Sequence, residues 1–149
     1  MSGAYKNLIV SRPFDGAAVM SFNRPAKLNS WSREVLDELL DFLRSLQGEK
    51  NLRAVILRGE GEKAFSTGAD FRGMFASESD RDNVELSYQV QEDLREIIRL
   101  VREAAQVFIC ECHGYAVGGG FFLAMASDIR LITEDVKFSA PLLKMSMSC

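Results

Sequence analysis

The sequence has no surplus of positive charge: 18 Lys and Arg stand against 21 Asp and Glu, a net charge of −3. That balance gives no electrostatic reason to expect nucleic acid or an anionic membrane surface as a partner. An anionic ligand would have to be held locally, by a few basic side chains or a helix N-terminus. Cysteine is scarce. Cys110, Cys112 and Cys149 are odd in number and lack C-x-x-C spacing, so no disulfide framework is legible, and reduced, buried thiols are expected. No uncharged apolar stretch approaches the roughly 18 residues a membrane span needs. The opening Met1-Ser2-Gly3-Ala4-Tyr5-Lys6 has no basic stretch leading into an apolar run, so no secretory signal is visible and a cytoplasmic location is expected. Histidine occurs once, at His113.

What is present suits a globular domain. Apolar residues make up 47% and charged residues 26% of the 149, enough for one domain with a substantial core. Leu8-Ile9-Val10, a turn at Pro13-Phe14-Asp15-Gly16, and a second apolar run over 17–22 predict a β-hairpin. Pro25 ends the second strand. Ser32 is placed to cap a helix reaching about Gln47, with Val35, Leu36, Leu39, Leu40, Leu43 and Leu46 on one face and Gly48 as its stop. A short buried strand follows over 53–58. The longest helical pattern covers 80–105, with Val90, Leu94, Ile97, Ile98, Val101 and Ala105 in one stripe. Strands over 107–112 and 129–132 flank a helix over 121–126. This alternation predicts an α/β fold with largely buried strands.

Two loops are rich in small residues, and each follows an apolar strand. Ser66-Thr67-Gly68-Ala69-Asp70 leaves backbone N–H groups uncovered by bulky side chains. Gly118-Gly119-Gly120 does so at a helix N-terminus, where free N–H groups and the helix dipole favour negative charge. Glycines before a helix also serve tight packing, so neither loop identifies a site alone. Converging on one point, the two would form an oxyanion hole.

In chain order the motifs are Asn23-Arg24-Pro25 with Asn29, Ala64-Phe65 with Gly68-Ala69-Asp70, His113-Gly114-Tyr115-Ala116-Val117-Gly118-Gly119-Gly120, and Ser127-Asp128-Ile129-Arg130. Together they resemble the enoyl-CoA hydratase/isomerase (crotonase) superfamily over essentially the whole chain. The resemblance implies a single domain over 1–149, the N-terminal core of a spiral of ββα units, incomplete at its C-terminus. It also implies acyl-CoA thioester as substrate, no cofactor beyond that coenzyme A, no metal, and a homo-oligomer, trimeric or hexameric. The oxyanion hole would be the backbone N–H of Ala69 and Gly119. Substrate contacts would come from Ala26, Lys27, Leu28, Thr67, Ala69, Gly118, Phe122 and Leu142. Asp70 and Asp128 are expected to hold backbone groups, His113 to pack or hydrogen-bond, and Tyr115 to bury its ring.

The chain departs from the hydratase pattern at two positions. The resemblance implies a glutamate two residues after the glycine triplet and another just past Pro141, working as a general acid–base pair. Here the positions hold Phe122 and Leu142, neither of which can move a proton. Either the chain stabilises a thioester enolate with proton transfer supplied from elsewhere, or it is a catalytically inactive acyl-CoA-binding or assembly subunit. A hydrolase built on Ser66 or Cys112 with His113 is excluded: there is no nucleophile elbow, and adjacent strand residues point to opposite faces.

Overall fold

The computed structural model describes residues 5–70 and 84–140. β1 (Leu8–Phe14) and β2 (Ala17–Phe22) form the antiparallel hairpin, turning at Asp15-Gly16 with Gly16 at φ 82°. All six residues of β2 are buried. It sits inside the sheet, pairing in parallel with β3 (Ala54–Gly59), which pairs with β5 (Val107–Cys112). β7 (Ile129–Ile132) closes the five-stranded sheet at its far edge, in the order β1-β2-β3-β5-β7.

A second sheet of three parallel strands is built from β4 (Ala64–Ser66), β6 (Tyr115–Val117) and β8 (Lys137–Ser139). Successive strands therefore divide between the sheets: β3 with β4, β5 with β6, β7 with β8. A helix follows each of the first two pairs, α2 (Val84–Glu103) and then α3 (Gly119–Ala126). This is the spiral of ββα units implied by the family resemblance. α1 (Arg33–Ser45) packs its buried face, Val35, Leu36, Leu39, Leu40, Phe42 and Leu43, into the same core as Val90, Ile97, Leu100 and Val101 of α2. Among the described residues no helix is long and apolar enough to cross a membrane.

Several expectations need correction. The strands β4 and β6, which lead into the two small-residue loops, were not expected; three-residue strands carry too little periodicity to be recognised. α3 begins at Gly119, not Phe121. Ser32 occupies the N-cap position of α1 in extended backbone but makes no side-chain cap bond. Ala105 lies beyond the end of α2 and is exposed, while Leu100 joins the buried stripe. The strands are not uniformly buried: every residue of β7 and β8 is exposed. Tyr115 does not bury its ring, which lies exposed with Lys137 Nζ 5.1 Å from its centroid.

Tyr5 ties the start of the described chain to α1, its hydroxyl donating to Asp41 Oδ2 at 2.8 Å. Burial first, then this hydrogen bond, pushes the phenol up to about 12. An unfolded tyrosine titrates at about 10, so between these values the unfolded state binds fewer protons. The contribution is thus fully present below pH about 10 and lost as pH rises through about 12. Denaturant titrations across that window should show falling stability in the wild type and a shallower fall in Tyr5→Phe. Equal slopes would exclude the linkage.

Candidate functional site

The loop after β4 is fixed by the segment 23–31. Asn29 Oδ1 accepts from the Arg24 N–H at 2.9 Å, and its Nδ2 donates to the carbonyls of Glu60 (2.9 Å) and Ala64 (2.8 Å). Leu28 and Asn29 both adopt positive φ, 53° and 52°, which curls this segment tightly enough for its backbone to face the neighbouring loop. Leu28 O then accepts from Thr67 N–H at 3.2 Å and Thr67 Oγ1 at 3.3 Å. Ser66 Oγ donates to Asn29 O at 2.8 Å and accepts from Gly68 N–H at 3.1 Å. Trp31 completes the clamp: its N–H donates to Gly68 O at 2.7 Å, and its carbonyl accepts from Asp70 N–H at 2.8 Å.

Arg24 and Asp70 have scaffolding contacts. The Arg24 Nη1 donates to Ser30 O at 2.6 Å, and its Nη2 lies 3.6 Å from Asp70 Oδ2. Asp128 likewise accepts from Phe108 N–H at 2.8 Å.

The second loop leaves β6 and enters α3 at the glycine triplet, and it meets the first loop backbone to backbone. A methyl placed on Gly68, at φ 72°, would lie 2.5 Å from Gly119 N and 2.8 Å from Val117 O. One placed on Gly119 would lie 2.5 Å from Trp31 Cζ3. The absence of side chains is what lets the loops touch, with the Trp31 ring as their floor. That ring is fully buried, 5.6 Å from the centroid of Phe22, which in turn packs edge-on against Phe65 at 5.7 Å.

Several N–H groups of the two loops are engaged, while the first turn of α3 leaves those of Gly119, Gly120 and Phe121 without an intrahelical acceptor. The N–H groups of Gly68 and Asp70 are bonded as described, Gly118 N–H donates to Ser139 O at 2.9 Å, and Phe122 N–H donates to Gly118 O at 3.0 Å. Among the described residues no hydrogen bond is made by the N–H of Ala69 or of Gly119. Two unsatisfied donors therefore stand on abutting loops, at the positive end of a short helix.

The other predicted residues are distributed around these donors. Ala26 and Lys27 are exposed on a 3-10 turn, Pro25–Lys27, and Leu28 is half-buried. Gly118 contributes backbone whose N–H is already engaged. Phe122 is half-buried one turn into α3, and Phe121 packs edgewise against both Phe122 (5.5 Å) and Phe138 (5.9 Å). Leu142 lies outside the described residues. His113 is half-buried, and its buried Nε2 has no hydrogen-bond partner. Glu111 is half-buried on β5. Among the described residues no group of three or more His, Cys, Asp or Glu could hold a metal ion. Trp31 was missed by sequence reasoning; the only available signal was the chain's single tryptophan two residues after the Asn29 of a motif. A separate cleft of about 870 Å³, lined by residues including Arg12, Asp15, Lys50 and Arg53, lies beside the β1–β2 turn and does not include these loops.

Comparison with known proteins agrees with this architecture. The sequence pattern of the family Enoyl-CoA hydratase/isomerase matches residues 14–148. The chain is 35% identical over 127 residues to the Bacillus subtilis protein YngF, covering 83% of this chain and 46% of that one. It is 29% identical over 140 residues to the crotonyl-CoA hydratase of Syntrophomonas wolfei, covering 93% of this chain and 51% of that protein. The crystal structure of an enoyl-CoA hydratase from Bacillus anthracis superposes with a TM-score of 0.86 at 31% identity, over 95% of this chain and 53% of that one. The chain thus spans about half the length of the curated relatives it matches. With the family pattern matched along nearly its full length and the two-sheet ββα spiral in place, this chain belongs to the enoyl-CoA hydratase/isomerase family.

Proposed function

We propose that the chain binds an acyl-CoA thioester and holds its carbonyl oxygen between the N–H groups of Ala69 and Gly119. The observation carrying this reading is the pair of unsatisfied N–H donors on loops in backbone contact. As the thioester acquires enolate character, negative charge gathers on that oxygen. Donors fixed beforehand need no reorganisation to meet it, and each is worth about 3–4 kcal/mol in such sites. The 3-10 turn carrying Ala26, Lys27 and Leu28 is laced to the Thr67 backbone, so the CoA moiety would run along it, with Lys27 as a point charge for a phosphate.

Proton transfer is the unassigned half of the chemistry. Phe122 stands where the family resemblance implies a hydratase glutamate, and it adds an apolar wall to the acyl pocket instead. The curated relatives are about twice as long, so the whole protein's acid or base would come from residues beyond the matched half. A second reading, an acyl-CoA-binding or assembly subunit without turnover, is favoured by the same Phe122.

Calorimetric titration with crotonyl-CoA and with free CoA is the direct test. Tighter binding of the thioester, together with a downshift of its carbonyl stretch in difference Raman spectra, is expected. Equal affinity for both ligands, or no carbonyl shift, would sink the oxyanion assignment. Hydration of crotonyl-CoA by this chain alone is expected to be negligible, and turnover at ordinary enzyme rates would overturn the role given to Phe122.

A further inference from the structure

Cys110 and Cys112 take no part in the site above, yet their thiols lie in direct contact. They occupy successive same-face positions of β5, both fully buried and both free thiols, with their sulfurs 3.4 Å apart. Arg130 lies opposite Cys110 across the β5–β7 ladder, its Nη1 donating to the carbonyls of Ser127 (2.6 Å) and Ala124 (3.3 Å) at the end of α3. Cys112 pairs with Ile132 on β7, an edge strand whose four residues are all exposed.

We propose that Cys110 and Cys112 are a dithiol clasp for a single thiophilic atom of the trivalent-arsenical class, bridged between the two sulfurs. The bite distance argues for a shared atom. With bonds of about 2.3 Å, as thiolates make to soft ions, sulfurs 3.4 Å apart subtend about 95° at a common centre. That is a pyramidal angle, narrower than a tetrahedral one. A direct disulfide fits less well, because same-face neighbours along a strand are about 6.6 Å apart, near the wide limit that disulfides span. A bridging atom closes the ring without contracting the strand.

The chemistry balances without an oxidant. An arsenic(III) oxide reacts with two thiols: the As=O bond and two S–H bonds break, two As–S bonds form, and one water leaves. The hydrogen bond within the pair and then burial push the Cys110 thiol up; either sulfur can donate in that contact, so either can attack first and the other closes the ring.

The test uses the reduced, folded chain, phenylarsine oxide as probe, and excess β-mercaptoethanol to strip single-thiol adducts. One phenylarsenic group per chain is expected by mass spectrometry, released by dimercaptopropanol. Alkylation after unfolding should label Cys149 and spare Cys110 and Cys112. Cys110→Ala and Cys112→Ala should each weaken retention more than tenfold, and Cys149→Ala should leave it unchanged. Labelling of Cys110 or Cys112 in the loaded wild type, or uptake only in denaturant, would overturn the proposal. The wild-type labelling pattern decides the matter even where an alanine variant does not fold.

Discussion

Gly68→Ala is expected to cost about 2–5 kcal/mol of stability and to abolish thioester binding. Two independent penalties add. Gly68 sits at φ 72°, where an L side chain is strained by about 1–2 kcal/mol. Its new methyl would also meet Gly119 N at 2.5 Å and Val117 O at 2.8 Å. Both are backbone atoms, so no flexible side chain can swing away, and overpacking of this kind costs about 1–3 kcal/mol. Typical domain stability is only about 5–15 kcal/mol. Relief by moving the loops apart would carry Gly119 away from Ala69 and separate the two donors. Gly48→Ala is the control: a methyl there meets nothing within 4 Å, so little change is expected. Denaturant midpoints that match for the two variants would mean that the loops are not in contact.

Trp31→Ala should be comparably severe, about 3–5 kcal/mol, the usual cost of removing a buried large aromatic. Trp31 is fully buried, packs on Phe22, and forms the floor beneath Gly119. The cavity left behind would lie directly under the first turn of α3, so thioester affinity should fall along with stability. Trp31→Phe separates packing from polarity. The indole Nε1 is buried with no hydrogen-bond partner, so deleting that donor relieves a desolvation penalty. The phenylalanine variant should therefore lose far less stability than the alanine variant. Circular dichroism is the proper probe, because both variants remove the chain's single tryptophan. Equal losses in the two variants would show that ring volume is not what supports the glycine loop.

The large elements were legible because their periodicity is long. α1 and α2 carry enough turns for an apolar stripe to stand out, and β2, β3 and β5 are apolar runs bounded by turn residues. What could not be read follows from short range or from distance in the chain. β4, β6 and β8 have three residues each, fewer than two periods of strand alternation. The exposure of β7 could not be read either, since Ile129, Leu131 and Ile132 look like core residues. An edge position is a property of the assembled sheet, not of the segment. Tyr115 misled differently: β6 is the middle strand of the second sheet, and which of its faces stays uncovered is set by the packing of the assembled elements.

The site divides along the same line. By themselves, the residues determined that small side chains would bare backbone N–H groups at 66–70 and 118–120, that the second set opens a helix, and that Phe122 cannot transfer a proton. Those are properties of side-chain size and chemistry, present before any folding. Only the tertiary structure decided which donors remain free. Gly68, Asp70 and Gly118 lose their N–H groups to Ser66, Trp31 and Ser139, while Ala69 and Gly119 keep theirs. That selection depends on contacts between segments distant in sequence, such as Trp31 with Asp70, and on an indole ring wedged beneath Gly119. No local pattern encodes such a meeting, because it exists only once the two loops have closed on one another.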